Sequence, residues 1–334
     1  MSTAGKLGFE ALNSALKAAG EETRLRVLAL LAEAELTVSD LTDILRQSQP
    51  RISRHLKLLA EAGLVERFRE GTWAFFRLAE HGGGADVARA LLERLNPADQ
   101  TIARDRARLA SVRQARAAAA QAYFRAHAAE WDRIRKLHVT DEAVEDAIRA
   151  ALVDKPFRSL LDLGTGTGRM LELFGQQIER GLGLDLSLDM LLLARDRLER
   201  AGLKNCSVRQ GDIYDLPLAD DSFDVVILHQ VLHFLDDGAR AIREAARVLR
   251  PGGRLLVVDF APHEQEFLRE QFAHRRLGFS AETVTQWMVA SGLEPVLHKS
   301  LTPEPDSEGK IAVSIWLARD IRALMATPQR REVA

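Results

Sequence analysis

The first hundred residues carry apolar side chains at the three- and four-residue spacing of short amphipathic helices. The segments with this spacing are 9–19, 22–34, 38–45 and 48–63. Two shorter apolar segments follow, and they flank Glu70-Gly71-Thr72 in the manner of a β-hairpin. This part of the chain is therefore predicted to be a helical unit that ends in a hairpin.

A different pattern begins near residue 155. Short continuous apolar runs alternate with helix-periodic segments, as in the buried parallel strands of an α/β protein. The runs are 159–163, 181–184, 222–228 and 255–258. Two later segments, 294–301 and 310–317, are predicted to form a closing antiparallel pair of strands. The second half of the chain is thus predicted to be a mostly parallel sheet with helices between its strands.

The region between these halves is rich in arginine and alanine. Residues 103–121 are strong helix formers, and they predict a connecting helix that pairs across a dimer. We expect its arginines to form a solvated face. Asn96-Pro97 is expected to end the first domain.

Composition narrows the class of protein. The chain has 334 residues, enough for two domains, and a net charge of −2, so overall charge does not draw it to nucleic acid or membrane. No apolar run approaches the length of a membrane span, and the N-terminal residues lack the apolar core of a signal peptide. A single cysteine excludes an intramolecular disulfide framework and a multi-cysteine metal site. We therefore expect a cytoplasmic, bacterial-type protein with no membrane partner and no bound metal.

Three glycines at alternate positions follow the first apolar strand of the second half. Gly164, Gly166 and Gly168 allow backbone amides to approach a ligand closely, and a helix begins behind them. Arg169 stands where the dinucleotide fingerprint needs a third spaced glycine, and no Gly-Lys-Ser/Thr follows, so neither that fingerprint nor a P-loop is present. Asp185 ends the next strand and can accept both hydroxyls of a ribose. The pattern predicts a nucleoside at the carboxyl edge of the sheet.

Four segments, in this order and spacing, resemble class I S-adenosylmethionine-dependent methyltransferases. They are the glycine turn, Asp185 after the next strand, the segment 210–213, and the helix, Pro-Gly-Gly and strand of 244–259. The closest type is the small-molecule enzyme of ubiquinone and menaquinone biosynthesis, and the resemblance covers roughly 155–262. It implies an α/β Rossmann-like, seven-stranded domain whose cofactor is S-adenosyl-L-methionine.

The same resemblance implies roles for particular residues. The three glycines lie near the methionine part and the ribose, Asp185 holds the ribose hydroxyls, and Leu186 lies beside the adenine. The predicted cofactor-binding set is Asp162, Gly164, Thr165, Gly166, Gly168, Asp185, Leu186, Met190, Asp212, Ile213 and His229. Residues 121–132, with Tyr123, Phe124 and Trp131, stand where such enzymes place a helical lid.

The methyl acceptor is predicted by exclusion. The segment 229–233 lacks the Asn/Asp-Pro-Pro-Tyr/Phe of DNA amino-methyltransferases, and Cys206 follows asparagine rather than the proline of cytosine enzymes. Arsenite methylation needs several thiolates, and the chain has one thiol. A small carbon or oxygen acid remains, with His229 or His233 as the general base, because an ordinary histidine titrates near neutrality.

The first domain resembles the ArsR/SmtB family of winged helix-turn-helix repressors across about residues 8–95. The resemblance implies an α+β winged helix-turn-helix fold, a homodimer, and double-stranded operator DNA as partner. The residues implied to contact DNA are Gln49, Arg51, Ser53, Arg54, His55 and Lys57 on the recognition helix and Arg67 and Arg69 on the wing, with Arg77 beside them. Thr37 and Ser39 replace the cysteines of arsenic sensors, so metal sensing is not expected.

These inferences give a domain plan and two functional hypotheses. The plan is a winged helix over 1–97, a linker helix and lid over 98–152, a methyltransferase domain over 153–320 and a disordered tail over 321–334. One hypothesis is a methyltransferase for a small molecule that also regulates transcription. The other is a repressor whose second domain only senses S-adenosylmethionine or S-adenosylhomocysteine, without turnover.

Overall fold

The computed structural model describes residues 6–70, 73–79, 81–127, 141–303 and 311–322. The chain divides into two compact units, residues 1–118 and 119–334. Both predicted fold classes are confirmed, since a helical unit with a small sheet is followed by a Rossmann-like unit with a seven-stranded sheet.

The first unit is a winged helix. Its helices are α1 (Phe9–Ala19), α2 (Glu22–Leu31), α3 (Val38–Leu45), α4 (Gln49–Glu61) and α5 (Gly83–Leu92), and its strands are β1 (Leu36–Thr37), β2 (Val65–Glu70) and β3 (Trp73–Leu78). Thr37 starts α3 with a capping box, in which its hydroxyl accepts from the amide of Asp40 and the Asp40 carboxylate accepts from the amide of Thr37. The strands pair in the order β1-β3-β2, so β2 and β3 form the predicted hairpin.

Helices α2, α3 and α4 are held together by their apolar faces. Ile52, Leu56 and Leu59 of α4 are completely buried, as the helical spacing predicts, and they belong to one core with residues of α2 and α3. Burying each such side chain stabilises the fold by about 1.5–3 kcal/mol. The opposite face of α4 is thereby left to solvent.

A long helix that follows α5 packs its first half within this unit. This helix, α6 (Gln100–His127), buries Ile102 and Leu109, and Asp105 accepts a bidentate pair of hydrogen bonds from Arg26 of α2 at 2.7 and 2.8 Å. The first unit therefore extends to residue 118, beyond the boundary at 97 that Asn96-Pro97 suggested.

The arginines of α6 do not all form a solvated face, which corrects the sequence-based expectation. Arg108 donates to the carbonyl of Ile44 at 3.1 Å, and Arg113 donates to the carbonyl of Glu33 at 2.8 Å. These carbonyls lie at or just beyond the C-terminal ends of α3 and α2, where helical carbonyls lack partners within the helix. The arginine-rich composition of α6 thus supplies donors to the winged helix.

The second unit is a mostly parallel sheet flanked by helices. Its strands are β4 (Ser159–Leu163), β5 (Arg180–Asp185), β6 (Cys206–Gln210), β7 (Phe223–His229), β8 (Leu249–Phe260), β9 (Leu293–Leu301) and β10 (Val313–Asp320). Its helices are α7 (Asp141–Leu152), α8 (Arg169–Phe174), α9 (Leu188–Arg200), α10 (Gly238–Arg247), α11 (Phe267–Phe272) and α12 (Ala281–Ala290). The strand order is β6-β5-β4-β7-β8-β10-β9, in which β10 runs antiparallel to both its neighbours.

The sheet order places a topological switch point beside the central strand. Strands β5 and β6 lie on one side of β4, and β7 and β8 lie on the other. Ligands of open α/β sheets bind in the crevice outside the carboxyl ends of the strands at such a point. All five residues of β4 are buried, because helices cover both faces of the sheet.

Strand β8 begins earlier than the sequence predicts. Pro251-Gly252-Gly253 was expected to separate a helix from a strand, but β8 runs through it from Leu249, with a register shift in its pairing to β7. Residues 121–127 of the predicted lid form the end of α6, whereas its residues 128–132, with Trp131, lie outside the described residues. The predicted tail after Arg322 and the side chains of Tyr123 and Phe124 also lie outside them. Within the part of the chain that is described, no helix is both long and apolar enough to cross a bilayer.

We expect Asp105→Ala to destabilise the first unit. The Asp105 side chain is 3% exposed, so its loss leaves Arg26 without its bidentate partner, and breaking a buried pair of this kind costs about 3 kcal/mol. Hydrogen exchange at the amides of α2 measures the change in local opening free energy. The control Asp86→Asn alters an exposed pair with Arg89 and should change that energy by less than about 1 kcal/mol. Equal effects of the two substitutions would contradict the assignment.

Candidate functional site

The glycine turn between β4 and α8 has an unusual backbone. Gly164, Gly166 and Gly168 have φ values of 70°, 52° and 83°, a region that favours glycine. The amides of Gly164 and Thr165 donate to the carbonyl of Leu184 at 2.8 and 3.0 Å, which ties the turn to β5. The turn is therefore fixed in place by its own hydrogen bonds.

The turn also lies close to the segment that follows β7. A Cβ atom on Gly164 would lie 2.4 Å from Cγ2 of Val231, so only glycine allows this approach at the switch point. On the other side of the turn, Thr165 packs against Gly183 and donates its hydroxyl to Asp162 at 2.6 Å. Asp162 is buried, and its carboxylate supports the turn by accepting this hydrogen bond from Thr165.

Asp185 faces the glycine turn from the end of β5. Its Oδ2 accepts from the amide of Gly166 at 2.8 Å, and its Oδ1 accepts from the amide of Ser187 at 2.8 Å. Each carboxylate oxygen has a second lone pair, so both oxygens keep capacity for a further donor. Burial raises the pKa of Asp185 above its ordinary value, although the backbone hydrogen bonds act in the opposite direction.

The other residues predicted to contact the cofactor lie along the same edge. Leu186 is exposed directly after Asp185, and its carbonyl accepts from the side chain of Gln210 at 3.0 Å. Met190 is buried in α9, whose first turn is capped by Ser187. Asp212 is exposed after β6, with Oδ1 accepting from the amide of Tyr214 at 2.8 Å, and Ile213 is buried beside it.

The two histidines predicted as general bases differ in their surroundings. His229 ends β7 opposite Val258 and is partly buried. His233 is almost completely buried in a 3₁₀ turn, Leu232–Phe234, and its Nδ1 lies 2.8 Å from Oδ1 of Asp259. The Asp259 carboxylate also accepts from the amides of His233 and Phe260, at 3.3 and 2.8 Å. This carboxylate therefore fixes the His233 ring and the turn that carries it.

More imidazoles surround this turn. The ring centroid of His233 lies 4.2 Å from that of His274 and 4.8 Å from that of Phe260, and His263 packs edge-on against Phe260. Burial lowers the pKa of His263 to about 4, so its ring is neutral at physiological pH. Asp259, Val231 and these rings were not among the site residues predicted from the sequence. The carboxylate after the apolar run of β8 was the available signal for Asp259.

The recognition helix of the first unit presents most of the predicted surface. Gln49, Arg51, Ser53, Arg54 and Lys57 are exposed on α4, and Arg67 and Arg69 are exposed on β2. The described part of α4 carries no acid in its first turn, so its N-terminal end is electropositive.

Two of the residues expected on that surface are engaged elsewhere. The His55 side chain is only 12% exposed and lies 3.6 Å from Glu21, which caps α2, so it packs within the unit instead of facing outward. Burial lowers its pKa. Arg77 pairs with Glu66 at 3.2 Å and with Glu35 at 3.7 Å, so its charge is neutralised inside the wing. Neither position could be separated from its exposed neighbours by helical or strand spacing alone.

Comparison with known proteins gives two families in one chain. Residues 161–257 match the model of the methyltransferase domain, and residues 21–67 match that of the bacterial regulatory proteins of the arsR family. The demethylmenaquinone methyltransferase of Thermobifida fusca is 32% identical over 165 residues, which are 47% of this chain and 68% of that protein. The uncharacterized methyltransferase YcgJ of Bacillus subtilis is 34% identical over 115 residues, 34% of this chain and 46% of that protein.

A third relative is also a methyltransferase. The ubiquinone/menaquinone biosynthesis C-methyltransferase UbiE of Vibrio vulnificus is 37% identical over 111 residues, 32% of this chain and 43% of that protein. The chain therefore spans less than half the length of YcgJ and UbiE.

Fold, site and comparisons together define a class I methyltransferase domain fused to an arsR-type winged helix. The chain belongs to the methyltransferase family that includes the demethylmenaquinone methyltransferase of Thermobifida fusca, and its second unit carries that family's domain. S-Adenosyl-L-methionine is the cofactor that this domain implies.

The residues at the switch point fit this cofactor. Its ribose presents two hydroxyl donors, and Asp185 offers two oxygens with spare acceptor capacity. Its methionine part needs a close backbone approach, and Gly164 and Gly166, with positive φ values, offer backbone there without a Cβ atom. The carboxylate of Asp212 is a suitable acceptor for the amino group of an adenine, and the apolar side chain of Leu186 is suited to the face of its ring.

We expect Asp185→Ala to weaken binding of S-adenosylmethionine by about 10- to 100-fold. Hydrogen bonds to a charged group contribute roughly 1.5–3 kcal/mol, and the substitution removes the acceptor of both hydroxyl bonds. Isothermal titration calorimetry measures the change. The control Asp196→Asn alters an exposed acid of α9 that pairs with Arg200. Affinity that stays within twofold of the unsubstituted protein for Asp185→Ala would exclude this role.

The raised pKa of Asp185 gives a pH dependence with a defined sign. The hydroxyl contacts need the carboxylate, so affinity for the cofactor should increase as pH rises through the raised pKa. The cofactor-free protein should lose stability over the same interval, because its folded state holds that proton more tightly than its unfolded state. Both trends should vanish in Asp185→Asn, and their persistence there would assign them to another group.

Proposed function

We propose that the chain is a bacterial transcriptional regulator that also methylates a small molecule with S-adenosylmethionine. The observation that carries the enzymatic half is the pairing of the glycine turn with Asp185, through Gly166, at the switch point of the sheet. The three relatives are named as methyltransferases, one of them for demethylmenaquinone and another for ubiquinone/menaquinone biosynthesis. Those names support a small-molecule acceptor here.

The proposed cofactor site consists of the residues predicted from the sequence, and it includes His229 at the end of β7. Asp185 binds the ribose, Leu186 and Ile213 border the adenine, and Asp212 meets its amino edge. Gly164, Thr165, Gly166 and Gly168 follow the methionine part, while Asp162 and Met190 support the turn and the first turn of α9 from behind. Bound there, S-adenosylmethionine supplies an electrophilic methyl group on its sulfur. The protein contributes positioning and exclusion of water.

The proposed acceptor is a carbon or oxygen acid. Such an acceptor gives up a proton when it is methylated, and a neutral imidazole at the carboxyl edge can take it and pass it to solvent. The partial exposure of His229 favours this residue for contact with the acceptor. The burial of His233 and its bond to Asp259 favour a supporting role, in which it holds the segment after β7.

The proposed partner of the first unit is double-stranded operator DNA. Arg51, Arg54 and Lys57 are exposed on one helix, and Arg67 and Arg69 extend the positive charge along the wing. Arginine and lysine side chains in this arrangement can pair with phosphates and guanine edges. Gln49 and Ser53 add neutral hydrogen-bonding groups to the same helix.

The proposed oligomer is a homodimer. Helix α1 exposes Phe9, Leu12 and Leu16, which are 84%, 39% and 47% exposed and lie on one helical face. An exposed apolar stripe of this kind is typical of a surface that is covered in the assembled protein. A dimer would protect two half-sites about one helical turn, ~34 Å, apart.

The enzymatic half is tested by product formation. The full chain is incubated with S-adenosylmethionine and a panel of phenols, hydroxyquinones and enolisable carbonyl compounds, and release of S-adenosylhomocysteine is measured. We expect turnover with at least one acceptor and a loss of at least tenfold in His229→Ala. Tight binding of the cofactor with no turnover across the panel would instead favour a regulator that only senses it.

The DNA-binding half is tested by Arg54→Ala. A gel shift on the region upstream of the gene for this chain should show weaker binding, with the salt slope reduced by about 1 if Arg54 contacts a phosphate. Arg200→Ala is the charge-matched control, because Arg200 is exposed on α9 of the second unit. Identical binding curves for the two variants would count against α4 as the recognition helix.

A further inference from the structure

The residues on either side of Gly168 are held from outside the turn. Arg169, which begins α8, donates from Nε and Nη2 to the two carboxylate oxygens of Glu145 on α7, at 2.6 and 2.9 Å. Its Nη1 donates to Glu172 at 2.6 Å. On the other side of the glycine, the hydroxyl of Thr167 accepts from Nη1 of Arg197 at 2.9 Å.

These contacts join into one network. Glu172 lies between the two arginines, with Oε2 at 2.6 Å from Arg169 and 3.7 Å from Nε of Arg197. The chain of contacts therefore runs from Glu145 through Arg169, Glu172 and Arg197 to Thr167, and connects α7, α8 and α9 with the glycine turn. We call these five residues the turn clamp.

The turn clamp is built from buried or partly buried groups. Glu145 is 6% exposed, and a carboxylate at such a position is costly unless it is paired. The bidentate geometry with Arg169 satisfies it, and the hydrogen bonds from Arg169 to Glu145 and Glu172 raise the pKa of the arginine further. Arg197 is 22% exposed and Glu172 is 31% exposed, so the rest of the network is only partly screened by water.

Gly164, Gly166 and Gly168 give the turn its conformation but also make it entropically costly to order. The first half of the turn is held by the backbone bonds to Leu184 and Asp185 and by the hydroxyl of Thr165, which donates to Asp162. The side chains of Thr167 and Arg169 are the nearest that flank its last glycine, and both are bonded to other helices. Fixing them removes freedom before the ligand arrives, which lowers the cost of binding.

We propose that the turn clamp sets the affinity for the cofactor, with Glu145 acting as a positioning residue through Arg169. This inference rests on the proposed cofactor site at the glycine turn. Arg169 stands where a dinucleotide fingerprint would have its third glycine. In this turn its side chain instead holds the start of α8 through Glu145 and Glu172. No cofactor contact is assigned to Glu145, Glu172 or Arg197.

The test is a double-substitution cycle on the full chain, with affinity for S-adenosylmethionine measured by calorimetry. Glu145→Gln and Arg169→Gln should each raise the Kd roughly tenfold, and the double variant should show no further loss, because both remove the same constraint. Additive losses would assign the two residues separate effects and overturn the proposal. The matched control is Glu142→Gln, which changes an exposed acid of the same helix, α7.

A second variant protects the test against misfolding. Arg197→Gln releases Thr167 from the other end of the turn clamp and should also raise the Kd, by about threefold or more. If Glu145→Gln does not fold, by circular dichroism, an unchanged Kd in Arg197→Gln is sufficient to overturn the proposal. Failure of the unsubstituted protein to bind S-adenosylmethionine would refute the proposed function itself. Normal binding with an unchanged Kd in Glu145→Gln would refute only the turn clamp.

Discussion

The arrangement of the proposed cofactor site depends on the carboxylate of Asp185, at the end of β5. Asp185 accepts from the amide of Gly166 across the turn and from the amide of Ser187 at the start of α9, so it connects three elements at the switch point of the sheet. Burial works against its charge and raises its pKa, and the backbone donors offset only part of that penalty. The turn geometry, the start of α9 and the proposed ribose contact all require this group. A neutral side chain there would disturb all three.

Much of the architecture follows from pattern. The continuous apolar run before the glycines predicts a strand covered on both faces, and β4 is completely buried. Thr37, Ser187 and Ser280 each stand directly before a helix, where hydroxyl side chains are favoured as caps, and each accepts a backbone hydrogen bond at the start of its helix. The predicted closing pair of strands is antiparallel, although its second strand is Val313–Asp320 rather than 310–317. Local signals of this kind suffice because each depends on neighbours within a few residues.

What the sequence could not reveal depends on contacts between distant residues. Helical spacing puts His55 on the outer part of α4, yet Glu21 of another helix draws it inward. The bond between His233 and Asp259 joins residues that are 26 positions apart, and the pair of Glu145 with Arg169 joins residues that are 24 apart. No periodicity encodes such partners. The cofactor contacts themselves, and the acceptor, remain predictions for the same reason, since they involve a molecule outside the chain.

The packing of α6 has a consequence for how such a fusion protein can be divided. Ile102 and Leu109 complete the interior of the winged helix, and Asp105 neutralises Arg26 inside it. A fragment that ends at Asn96-Pro97 would expose those apolar side chains' neighbours to water and leave Arg26 without its carboxylate partner. A fragment that continues to about residue 118 would keep the apolar contacts and the ion pair. A chimera that exchanges the winged helix between relatives would therefore need to include the first half of α6. The first half of α6 is a structural part of the first domain rather than a linker.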